Sequence, residues 1–152
     1  MIKILCVGKI KEKFLKDAIN EYIKRLSKYT KLEIIEISDE ATNNSNITLD
    51  KEKEKLLKHI NLKDYNIVLD IEGKMLDSLD FANKINNIFT NENSNITFII
   101  GGSCGLHQEI KKLANYSLSF SKLTFPHQLF RVLLLEQIYR SFKILNNETY
   151  HK

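Results

Sequence analysis

A chain of 152 residues with 43% hydrophobic and 28% charged residues is long enough to bury one core and too apolar to stay disordered. Its opening apolar run is too short for a signal-peptide core, and no later run reaches the ~20 apolar residues of a membrane-spanning helix, so a cytoplasmic protein without membrane attachment is expected. The formal charge of +4 is modest, but residues 9–31 hold seven Lys and one Arg against Glu12, Asp17 and Glu21, a surplus of five that leaves the rest near neutral.

Residues 2–7 read as a buried strand ending at Gly8. Phe14, Leu15, Ile19, Tyr22, Ile23 and Leu26 then recur at helical spacing through residue 28. The Lys and Arg of this segment form either a solvated helix face or a cationic surface suited to phosphates. Residues 32–37 alternate apolar and acidic side chains as a half-buried strand does, and 38–46 have the composition of a loop free to vary. A short helix rich in Lys and Glu is predicted over 50–60, its charged run solvated, followed by an apolar strand over 67–71 and a turn at Gly73.

Ser78 is placed to cap a helix running through Phe81, Ile85, Ile88 and Phe89. A buried strand over 96–100 then runs into Gly101-Gly102-Ser103-Cys104-Gly105. A fourth helix, a short strand over 116–120 and a long helix over 128–145, entered at Pro126, complete the order. Alternating strands and helices predict an α/β fold, a mostly parallel sheet with helices on both faces, in one domain over 1–152.

In such sheets ligands bind beyond the carboxyl ends of the strands, which selects the turns after Leu69, Ile100 and Phe120. The glycine-rich turn at 101–105 lets backbone approach a ligand closely, or is only a turn. It has neither the Gly-Lys-Ser/Thr ending of a phosphate loop nor the dinucleotide GxGxxG pattern, so a nucleoside held without a phosphate loop fits it better. Cys6 and Cys104 form no CxxC or Cys/His cluster, and the four His match no helical metal pair, so reduced thiols and no metal are expected.

The last helix is apolar around most of its circumference, leaving a polar strip at Glu136, Arg140 and Lys143. It is buried on two sides, either centrally in one core or against its own sheet and a second subunit. Arg131 falls inside the apolar arc and needs an anion, whether a structural carboxylate such as Glu136 or Asp70 or an RNA phosphate or substrate group.

Several motifs coincide with one family. They are Lys3-Ile4-Leu5-Cys6-Val7-Gly8-Lys9, Leu69-Asp70-Ile71-Glu72-Gly73-Lys74, Ile99-Ile100-Gly101-Gly102-Ser103-Cys104-Gly105-Leu106 and Leu118-Ser119-Phe120-Ser121-Lys122-Leu123-Thr124-Phe125-Pro126-His127. Arg131-Val132, Glu136-Gln137-Ile138-Tyr139-Arg140 and the ending Tyr150-His151-Lys152 follow. Over essentially its whole length the chain resembles the SPOUT-class ribosomal RNA large subunit methyltransferase H family, with a mild departure at Cys104. The resemblance implies a C-terminal trefoil knot, which composition and periodicity do not reveal. It also implies a homodimer formed across the knotted regions and methylation of a pseudouridine, at its third ring nitrogen, in large-subunit ribosomal RNA of the assembled ribosome.

S-adenosylmethionine would then lie among Leu69, Gly101 and the run Phe120, Ser121, Lys122, Leu123, Thr124 and Phe125, whose apolar walls and main chain suit adenine. Alignment of donor and acceptor is the larger catalytic contribution and proton removal the smaller. His151 is the better base candidate because its tail is free to meet RNA, while His127 reads equally as a capping or packing residue; His59 and His107 are assigned to the surface. Tyr150 can stack on an unpaired base, Lys152 can meet phosphate, and Arg131 completes the candidate catalytic set. Two other classes compete, a non-catalytic ribosome-binding factor and a nucleotide hydrolase, the second lacking its phosphate loop.

Overall fold

The computed structural model describes residues 1–152. Five strands, β1 (Ile2–Val7), β2 (Leu32–Ile37), β3 (Tyr65–Met75), β4 (Ile96–Ile100) and β5 (Tyr116–Ser119), form one all-parallel sheet in the order β2-β1-β4-β3-β5. The helices are α1 (Lys13–Leu26), α2 (Ser45–Leu57), α3 (Ser78–Asn87), α4 (Gln108–Leu113) and α5 (His127–Leu145), with a π-helical turn at Ile88–Glu92 extending α3.

Strand periodicity splits the core in two. Ile2, Ile4 and Cys6 face a cluster shared with Ile19 and Leu26 of α1, Phe81 and Ile85 of α3, and Leu134, Leu135 and Ile138 of α5. Leu5 and Val7 face a smaller cluster with Leu56 of α2 and Ile110 of α4. Both crossovers that step toward β2 run over the first face and both that step toward β5 run over the second, the arrangement a uniform crossover hand requires. The connections after β1 and β4 therefore leave in opposite directions, opening a crevice at their carboxyl ends.

Several boundaries differ from the sequence reading. Helix α2 starts five residues earlier than position 50 because the Asn44 side chain accepts from Asn46 N and Ile47 N at 2.9 and 3.3 Å. Its charged run is not wholly solvated: Glu52 is 3% exposed, and Lys55 reaches back to Ser38, so the loop before the helix is braced. The cap of α3 is Asp77, which accepts from Asp80 N at 2.8 Å, whereas Ser78 Oγ donates to Gln137 at 2.9 Å.

Gly73 does not make a turn. Strand β3 bulges out after Leu69 and returns, so that Leu118 of β5 is opposite both Leu69 and Lys74. At the return a Cβ on Gly73 would lie 2.8 Å from the Leu118 and Ser117 backbone.

Candidate active site

At the carboxyl ends of β3, β4 and β5 lies a cavity of about 270 Å³. Its walls come from Leu69 to Ile71, Ile100 to Leu106 and Leu118 to Phe125 without Lys122, with Lys111, His127 and Phe130 completing it. Of the residues expected to hold a cofactor, Leu69, Gly101, Phe120, Ser121, Leu123, Thr124 and Phe125 converge here, while the Lys122 side chain is exposed outside the lining.

The loop after β4 keeps its shape through main chain alone. Gly105 N donates to Gly102 O at 3.0 Å, and Gly105 adopts φ +78, a conformation open to glycine. A Cβ on Gly101 would come within 2.6 Å of the Gly105 carbonyl carbon, so this position accepts no side chain. Behind the loop a Cβ on Gly102 would meet Val7 at 3.0 Å and the Glu52 carboxylate at 3.4 Å. Burial pushes the Glu52 carboxyl above the ordinary carboxylate range.

The opposite wall is aromatic and short of charge. Phe120 and Phe130 meet edge-on with centroids 4.8 Å apart, and Phe125 stacks near Phe130 at 6.2 Å. Ser121 Oγ accepts from Leu123 N at 3.0 Å and shapes the turn. The one acid in the lining, Asp70, is bound to Lys111 at 3.0 Å. Apolar walls of Leu69, Phe120, Phe125 and Phe130 suit an adenine, and the glycine cradle suits a ligand pressed against backbone, so the residues present match the S-adenosylmethionine implied by resemblance. No three His, Cys, Asp or Glu side chains gather as a metal site.

Arg131 is elsewhere. It is 1% exposed, and its anion is Glu36, at 2.6 Å, not Glu136 or Asp70. Its other terminal nitrogen donates to Val7 O at 2.9 Å and Gly8 O at 2.6 Å, so the guanidinium clamps α5 to the ends of β1 and β2. Arg131→Met should cost about 3 kcal/mol of stability, the lower end for a broken buried pair because water can reach Glu36. Chemical denaturation at fixed protein concentration measures it, and a loss below about 1 kcal/mol would show that the clamp is dispensable.

The tail does not extend beyond the packed core, contrary to expectation. Asn147 takes φ +54 and turns the chain back along α5. Glu148 then binds Lys143 at 2.6 Å and the Tyr29 hydroxyl at 2.7 Å. Tyr150 packs edge-on against Tyr139 at 5.1 Å and donates to Glu136 at 3.1 Å, while His151 Nδ1 lies 3.2 Å from Arg140. The polar strip of α5 is thus the seat of the tail rather than open surface. Burial and Glu136 push the Tyr150 phenol up to about 12. Glu136 and Arg140 lie six and ten residues beyond cavity-lining Phe130, about 9–15 Å along the helix, so Tyr150 and His151 do not reach the cavity of their own chain.

Two histidines surprised. His107 caps α4 by accepting from Glu109 N at 3.0 Å, and its other nitrogen lies 3.0 Å from Asp50. His127 does not cap α5, whose N-cap is Pro126; it lines the cavity instead. Its position directly after the Phe120 to Phe125 wall was the signal available in sequence.

The chain matches the family described as "Predicted SPOUT methyltransferase" over residues 1–151. It is 56% identical, over 99% of both chains, to the ribosomal RNA large subunit methyltransferase H of Clostridium botulinum. It is 55% identical, again over 99% of both, to the putative ribosomal RNA large subunit methyltransferase H of Methanococcus maripaludis. Among solved structures, a probable methylase family protein from Haemophilus influenzae shares the fold with a TM-score of 0.60 at 13% identity, covering 99% of this chain and 70% of that one.

Proposed function

This chain belongs to the SPOUT methyltransferase family, and on that basis we propose that it is a ribosomal RNA large subunit methyltransferase that uses S-adenosylmethionine. The observation that carries the reading is the glycine-cradled, aromatic-walled cavity at the ends of β3, β4 and β5. The acceptor we assign is the third ring nitrogen of a pseudouridine in the assembled ribosome. S-adenosylmethionine supplies a methyl group already electrophilic on its sulfonium. Leu69, Phe120 and Leu123 would flank its adenine, the 101–105 loop would hold it through main chain, and the aromatic wall would limit water.

Residues 1–152 act as one domain in this reading, with the C-terminal trefoil knot that the resemblance implies. We also infer a homodimer. Leu129 and Leu123 are exposed beside half-buried Val132 and Leu133, an apolar face suited to a second copy. A partner also resolves the position of the tail, since Tyr150 and His151 can meet a cavity in trans that they miss in cis. All seven Lys of residues 9–31 and Arg25 are exposed, as a ribosomal RNA surface would need. No helix is long and apolar enough to cross a membrane, and we assign the protein to the cytoplasm with the ribosomes it modifies.

Titration with S-adenosylmethionine, followed by methyl transfer to ribosomes from cells lacking this activity, tests the reading. Binding with transfer to large-subunit RNA is expected. Ribosome association without S-adenosylmethionine binding would favour a non-catalytic factor and overturn the enzyme.

A further inference from the structure

The acceptor nitrogen carries a proton that must leave during transfer, and the cavity holds few groups able to take it. Asp70 is occupied by Lys111, and within the same chain His151 rests on Arg140 some turns away along α5. His127 is the imidazole in the lining. It stands at the first position of α5, at the crevice between β1 and β4, and Nε2 faces the end of β1.

That end is Gly8, itself buried. The residue has φ +92 and no side chain, and a Cβ there would sit 3.3 Å from His127 Nε2 and 3.7 Å from Arg131 Nη2. The missing side chain lets the imidazole seat against backbone whose carbonyls Arg131 holds fixed, while the ring borders the cavity. Resting on the transfer reaction proposed above, we propose that His127, beside Gly8, is the base that takes the proton from the acceptor ring nitrogen. As the nitrogen's electron pair forms the bond to the methyl carbon, the carbon–sulfur bond breaks and its pair stays on sulfur. The ring proton passes to the His127 imidazole, and the imidazolium returns it to water once product leaves.

The surroundings keep the imidazole neutral and ready. Partial burial and the Arg131 cation one turn along α5 lower its proton affinity below the ordinary histidine value, and the more distant Asp39 opposes them weakly. The positive end of α5 acts in the same direction as Arg131. Glu36, the other acid nearby, is neutralised by Arg131, and from the loop after β4 the exposed thiol of Cys104 is the titratable group. The sign follows: the base form fills as pH rises through the lowered value, so wild-type transfer climbs in mildly acidic solution and is level at neutral pH.

His127→Asn keeps the size and polarity of the side chain and loses the titration. Single-turnover methylation of ribosomes, measured across pH beside S-adenosylmethionine affinity, reads the effect. Wild-type transfer establishes the function itself, so failure of that reading is separable from failure of this one. The variant should bind S-adenosylmethionine as wild type does, lose about 10²–10⁴-fold in rate at neutral pH, and regain rate with rising pH as the acceptor ionises unaided. His151→Asn should be slower than wild type with the acidic limb of the profile retained. If His127→Asn does not bind S-adenosylmethionine, His127→Gln carries the same comparison. A near-wild-type rate at neutral pH would overturn the assignment, and so would a deficit of constant size at every pH.

Discussion

Gly101→Val is expected to remove most S-adenosylmethionine binding while the chain still folds. A Cβ at this position would already press on the Gly105 carbonyl, and that neighbour is backbone held by the Gly105–Gly102 hydrogen bond, so no rotamer change relieves it. Overpacking of this kind costs about 1–3 kcal/mol. Unyielding main chain puts this case at the upper end, which corresponds to a loss of affinity of about a hundredfold. The strain falls at the mouth of the sheet, and β4 keeps its pairing with β1 and β3. Calorimetric titration checks the loss, with thermal unfolding as the control. Unchanged affinity would remove Gly101 from the cofactor site.

Deletion of residues 150–152 should have the opposite profile, with S-adenosylmethionine affinity near that of wild type and methylation of ribosomes reduced by orders of magnitude. The cavity contains no atom of the tail, so binding has no reason to change. Stability should fall modestly, since Tyr150 loses one aromatic contact and one hydrogen bond, each worth about 1 kcal/mol. The loss of transfer follows if the tail supplies an aromatic, an imidazole and a cation to the RNA in a partner's cavity. Mixed dimers test the geometry: one subunit with Gly101→Val and one without its tail retain one complete site when tail and cavity come from different chains. A truncated enzyme as fast as the full-length one would refute a role for the tail, and mixed dimers as inactive as both parents would refute its delivery in trans.

Where the physics was local, the sequence was readable. Strands β1, β2 and β4 coincide with their predicted residues because strands buried between two helical layers must be continuous apolar runs or strict alternations. The turns that line the cavity were legible for a related reason, since parallel strands open their crevices at their carboxyl ends. What escaped depended on distant partners. Nothing near Arg131 in sequence announces Glu36 or the carbonyls of Val7 and Gly8, more than 90 positions away. The strip at Glu136, Arg140 and Lys143 was legible as polar, but not its cover, because the tail that holds Glu148 and Tyr150 reads as extending beyond the core toward RNA. Gly73 has the composition of a turn, and only the return of β3 onto Leu118 shows that its missing side chain is a spacing requirement. Glu52 lay in a charged run whose periodicity gave no hint that one carboxylate points inward.

The Arg131 clamp also bears on the order in which the molecule is made. Strand β1 is the first element made, yet the guanidinium that closes its end is contributed by α5, the last. Until α5 is made, the carbonyls of Val7 and Gly8 and the apolar face of β1 have nothing from that helix to cover them, and contacts spanning more than 120 residues must wait for it. The clamp is therefore a late event in folding, formed only after both the first and the last element of the sheet-and-helix order exist.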